Sequence, residues 1–223
     1  MSFQTHPTYL DFEAANQGYA SRLETCLDAI CADTNTHARF LNTLSMMEHM
    51  GSRCIMLTQS NAETSQDTLK HMAEEARHAF FFKRQAEKFS GFEMDYGADN
   101  TIAPSFARMY FKRLESYIAQ DLADADNPLL VTYLYMSMII EFRAVWAFVV
   151  YQKCLDRADI RLSLKSLLAE EQGHLDDMER TLAKTGIGTS ARINKFLAKE
   201  QDLFVKLLTA LESAVDADAL AAE

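Results

Sequence analysis

Two stretches of the chain place a glutamate and a histidine three positions apart, Glu75 with His78 and Glu171 with His174. Residues three apart on an α-helix lie on one face, so each pair can aim a carboxylate and an imidazole at one point. The pairs sit in similar hexapeptides, Ala73-Glu74-Glu75-Ala76-Arg77-His78 and Ala169-Glu170-Glu171-Gln172-Gly173-His174. Each is preceded by a lone glutamate in apolar company, Glu48 after Met46-Met47 and Glu141 after Ile139-Ile140. Glu171 follows Glu75 by 96 positions and Glu141 follows Glu48 by 93, so one helix pair reads as used twice.

Four glutamates and two histidines on four helices are a donor set that can hold two divalent metal ions. A single Glu-x-x-His arises readily by chance and is usually a solvated pair, but two copies in matching surroundings are poorly explained that way. Burying one unpaired carboxylate costs several kcal/mol, against a total stability of about 5–15 kcal/mol. Two metal ions would balance four carboxylates, whereas the metal-free protein should take up protons that metal then displaces. Oxygen and imidazole donors without thiolate suit iron or manganese better than copper, and zinc could also occupy the site.

Helices must position these residues, and the composition supplies them. The chain has 223 residues with only seven Gly and three Pro, and long stretches are rich in helix formers. The fold class is all-α, and the length suits one domain over residues 1–223 with a bundle core at about 36–184. Predicted helices cover about Tyr9 to Ala32, Thr36 to Thr58, Gln66 to Phe89, Pro104 to Leu122, Pro128 to an end near Cys154 to Asp156, Ala158 to Lys184 and Ala191 to Val215. Residues 61–65 read as a polar break, Gly91 and Gly186 as helix stops, and the Ala- and Asp-rich end as a fraying tail.

A net charge of −10 without a Lys/Arg cluster disfavours nucleic acid as a partner. Cys26, Cys31, Cys54 and Cys154 show no C-x-x-C spacing and read as reduced residues of a cytoplasmic chain. The start of the chain lacks the pattern of a signal peptide. Residues 129–151 are apolar enough to suggest a membrane span, but Glu141 and Arg143 near their middle favour a buried bundle helix and no membrane partner.

The order Glu, Glu-x-x-His, Glu, Glu-x-x-His over about Thr36 to Lys184 resembles the ferritin-like di-iron carboxylate superfamily. That resemblance implies a four-helix bundle of two helix hairpins with additional N-terminal, crossover and C-terminal helices. It implies two Fe ions, with Mn possible at one or both positions, bridged by Glu75 and Glu171. Glu48 and His78 would complete one metal, and Glu141 and His174 the other. Glu74 and Glu170, each just before a motif glutamate, would hold the opposite ligand histidines, His174 and His78 respectively. His71 shares a face with Glu75 one turn earlier and could line the site, though it reads mainly as helical surface, and His6, His37 and His49 receive no role.

The ribonucleotide reductase small subunit places a radical-forming tyrosine where this chain has Phe82. Rubrerythrins usually carry a rubredoxin domain whose cysteines are missing here, and ferritins are usually shorter. Length and ligand spacing are similar to those of aldehyde-deformylating oxygenases and tRNA hydroxylases, and the acidic balance disfavours the tRNA branch. The resemblance therefore implies a di-iron oxidase or oxygenase that uses dioxygen and an external electron donor on a small apolar organic substrate. The alternative is a ferroxidase or iron-handling protein, and a homodimer is possible. Gly51, Ser52, Ala79, Ser137 and Ala144 could leave space for a substrate, while Met47, Met138 and Phe80 to Phe82 read as core.

Overall fold

A computed structural model describes residues 7–58, 64–186 and 188–221. Seven α-helices account for most of them: α1 Pro7–Ala32, α2 Thr34–Thr58, α3 Gln66–Ser90, α4 Pro104–Asp121, α5 Pro128–Arg157, α6 Lys165–Thr185 and α7 Ser190–Ala221. A short 3-10 turn covers Ala98–Asn100, and there is no strand among the described residues. His6 and positions 61–63 of the expected polar break lie outside the described residues.

The helix ends follow from local chemistry. Asp33 Oδ1 accepts the Thr36 N–H at 2.7 Å, and Ser65 caps α3 by accepting from the Thr68 N–H. Asn127 caps α5 ahead of Pro128, where a missing N–H costs the helix nothing. Gly91 and Gly186 end α3 and α6 at φ 78° and 70°, a conformation that suits glycine.

Two boundaries differ from the sequence expectation. Helix α6 begins at Lys165 rather than near Ala158, because Asp159 turns the chain at φ 53° and Gln152 pins the following segment. The Gln152 side chain accepts from the Leu164 N–H at 2.8 Å and donates to the Leu162 carbonyl at 3.3 Å. Helix α7 continues to Ala221 instead of fraying after Val215. Its alanine-rich end is a good helix former, and Arg39 of α2 reaches Asp218 at 2.6 Å.

Helices α2 and α3 pack closely as one hairpin and α5 and α6 as another, and the hairpins meet through α2 against α5 and α3 against α6. Helices α1, α4 and α7 cover α5 from the other side. This central position explains why α5 carries an apolar run long enough to cross a membrane: most of the run is buried by other helices. Phe82 is fully buried, but Phe80 is 62% exposed, contrary to its reading as core. Residues at successive helix positions point about 100° apart, so adjacent phenylalanines cannot share one inward face.

Candidate metal centre

Each hairpin delivers one lone glutamate and one Glu-x-x-His pair to the space between the hairpins. Glu48 comes from α2, Glu75 and His78 from α3, Glu141 from α5, and Glu171 and His174 from α6. Their donor atoms form two interlocking groups. Glu48, Glu75, His78 and Glu171 lie within 4.8 Å of one another, as do His71, Glu75, Glu141 and His174. Glu75 belongs to both groups, and Glu171 spans them, with Oε1 at 3.1 Å from His78 Nδ1 and Oε2 at 3.0 Å from His174 Nδ1. Glu48 as a residue is partly exposed, but its carboxyl end is enclosed by the others.

Proton affinities reveal the crowding of negative charge. Burial raises Glu48 well above the usual carboxylate range, reinforced by Glu75, Glu171 and Glu141. Burial likewise raises Glu75, with Glu171 and Glu141 adding to the effect while His71 opposes it. Glu171 is raised by burial and by Glu141, against the pull of His174 and His78. For the histidines burial acts the other way but is outweighed. Glu171, Glu75 and Glu170 lift His78 to about 9, and Glu141 and Glu171 lift His174 to about 12. Protons therefore occupy the metal-free centre, where divalent cations could replace them.

The outward histidine nitrogens are held. Glu170 Oε2 lies 2.7 Å from His78 Nε2, and Glu74 Oε2 lies 2.8 Å from His174 Nε2, so each acidic neighbour crosses to the opposite hairpin. Arg77 steadies Glu170 at 2.6 Å. A carboxylate on Nε2 fixes the ring and leaves Nδ1 turned inward to bind a cation. Two buried inward atoms, His78 Nδ1 and Glu75 Oε1, face neighbouring side chains without a well-aligned hydrogen bond, which fits a centre built for a cation. Gly51 of α2 also serves the centre, since a Cβ there would stand only 3.0 Å from Glu75 Oε2.

His71 is not helical surface. It is 6% exposed, with Nε2 at 3.2 Å from Glu141 Oε1 and 3.5 Å from Glu75 Oε1. Its Nδ1 hydrogen-bonds the Tyr133 hydroxyl at 2.8 Å, so this ring presents the opposite nitrogen to the centre from His78 and His174. The signal in the sequence was the four-residue step from His71 to Glu75, one helical turn, which extends the motif to His-x-x-x-Glu-x-x-His. Of the unassigned histidines, His37 is buried against Tyr151, and His49 is exposed beside Tyr96.

A cavity of about 150 Å³ opens on the centre and runs between α2 and α5 toward α1, α4 and α7. Glu48, His71, Glu75, Glu141 and Glu171 form its polar end, and its remaining walls are mainly apolar, with Met47, Ile140 and Phe148 among them. Gly51, Ser137 and Ala144 line it as their size suggested. Ser52 and Ala79 do not: Ser52 donates to the Met72 carbonyl and Ala79 is packed beside Ser45, whose hydroxyl donates to its carbonyl. The four cysteines are free thiols. No family model, curated protein or solved structure matches the chain.

Proposed function

We propose that this chain is a di-metal oxidoreductase of the ferritin-like di-iron carboxylate type that uses dioxygen to oxidise a small apolar organic substrate. The six residues Glu48, Glu75, His78, Glu141, Glu171 and His174 would hold two iron ions, with manganese possible at one or both positions. Bound iron would supply the redox chemistry with dioxygen. In an oxygenation, one oxygen atom enters the substrate and the other leaves as water, consuming two electrons and two protons from an external donor.

The chain's own residues have definable parts in this. Glu74 and Glu170 orient the imidazoles of His174 and His78. Apolar walls from α2, α5 and α7 exclude water and hold a hydrocarbon beside the carboxylates. The observation that carries the reading is that one cavity joins four of the proposed ligands, Glu48, Glu75, Glu141 and Glu171, to an apolar chamber. Storage of iron gives no reason for such a chamber.

Ala144→Phe tests it by placing a ring in the cavity. The iron-loaded variant should lose oxidation of organic substrates while retaining bound iron and the oxidation of added Fe(II). Oxygen uptake that tracks added Fe(II) stoichiometrically, with no organic compound supporting turnover in the unmodified protein, would favour a ferroxidase instead.

A further inference from the structure

The far part of the cavity contains a second polar feature. Arg143 of α5 is 6% exposed, and its Cζ lies 3.7 Å from the Phe204 ring centroid, with both residues lining the cavity. A guanidinium has five N–H groups to satisfy. Nε donates to Glu200 Oε1 at 2.8 Å, and Nη2 donates to Glu200 Oε2 at 2.8 Å and to Asn16 Oδ1 at 2.8 Å. Nη1 has no hydrogen-bond partner although it is buried. Two N–H groups are thus left over on a side chain that borders an apolar chamber.

Charge narrows what can satisfy them. Glu200 is fully buried, faces Arg143 with both oxygens, and also accepts from the Tyr110 hydroxyl at 2.8 Å. The single positive charge is already matched by a single negative one. An incoming carboxylate would leave an uncompensated charge in a dry space, whereas a neutral oxygen could accept from Nη1 without that cost.

Resting on the proposed oxidoreductase reading, we infer that the substrate is a neutral, otherwise apolar molecule bearing a hydrogen-bond-accepting oxygen, for which a ketone serves as the probe. That oxygen accepts from Arg143 Nη1, and the hydrocarbon part extends toward Glu48, Glu75, Glu141 and Glu171. Arg143 is then a substrate-positioning residue, and its distance along the chamber from the carboxylates selects which carbon is presented to them.

The test is binding to the zinc-loaded protein, which separates recognition from turnover. Affinities of 2-octanone, 1-octene and octanoate are measured by calorimetry for the unmodified protein and for Arg143→Met/Glu200→Gln, which removes both buried charges together. The ratio of ketone to alkene affinity should fall about tenfold in the variant, as expected for loss of one hydrogen bond to a charged donor. Octanoate should bind the unmodified protein more weakly than the ketone. On the unmodified protein alone, the infrared carbonyl stretch of bound 2-octanone should move below its value in hexane, so the test does not depend on the variant folding.

An unshifted stretch, or an unchanged affinity ratio in a folded variant, would overturn the inference and point to a water molecule on Nη1. Octanoate as the tightest ligand would also overturn it. Either result leaves the oxidoreductase reading standing if 1-octene binds and is turned over by the iron form. Failure of all three probes to bind a protein that holds two metals would remove both.

Discussion

Gly51→Ala should strengthen the protein and weaken its metal centre at once. Gly51 lies inside α2, where alanine is favoured over glycine by about 0.5–1 kcal/mol. For a chain of this size that corresponds to a rise of about 1–4 °C in the melting temperature of the metal-free protein. The added methyl would stand 3.0 Å from Glu75 Oε2, closer than ordinary contact, so the carboxylate must retreat by a few tenths of an ångström. Metal–ligand distances tolerate only about 0.2 Å, and Glu75 belongs to both donor groups. Metal affinity should fall on the order of tenfold. Melting followed by circular dichroism with and without a chelator reads the first effect, and competitive titration with Mn(II) or Zn(II) reads the second. Unchanged affinity in a variant that is more stable without metal would refute the role given to the close approach at Glu75.

Glu74→Ala and Glu170→Ala should each weaken metal binding by about 10- to 100-fold through a freed imidazole, measured by the same titration, and unchanged affinity in both would return them to ordinary surface glutamates. With His78 at about 9 and His174 at about 12, both are protonated at pH 7 in the metal-free centre, so metal uptake should acidify a weakly buffered solution and its affinity should rise with pH. Burial holds His37 at about 4, below its unfolded value near 6.5, so the unfolded chain gains a proton first as pH falls. Stability should drop by at most about 3 kcal/mol between pH 6.5 and 4, and urea midpoints should show a smaller drop in His37→Gln. Phe82 offers no site for a tyrosyl radical, and Tyr133, which touches His71, is the tyrosine to replace if electron paramagnetic resonance detects one.

Much of the centre was legible because its information is local. A Glu-x-x-His step on a helix fixes two side chains on one face, and its repetition with a preceding lone glutamate named six residues that the structure brings together. The pairings of Glu74 with His174 and Glu170 with His78 followed from the resemblance rather than from spacing, since contacts across hairpins have no local signature. For His71 the sequence leaves two readings open, because a histidine one turn from a glutamate suits a solvated helix face as well as a site, and only the approach of α5 and α6 encloses it. The start of α6 was hidden for a related reason: Asp159 and the distant Gln152 end the helical pattern without the glycine or proline that marks such breaks. The cavity and the unsatisfied Arg143 nitrogen depend on which helices fail to touch, and no periodicity records that.

Metal stoichiometry tests the central claim most directly. The protein is dialysed against Fe(II) without oxygen, freed of loosely held ions, and assayed by plasma mass spectrometry beside Glu171→Ala. Two ions per chain are expected in the unmodified protein, against content approaching zero in the variant with its helical circular dichroism retained. Fewer than one tightly held ion per unmodified chain, or undiminished content in the variant, would contradict a two-metal centre built on these residues.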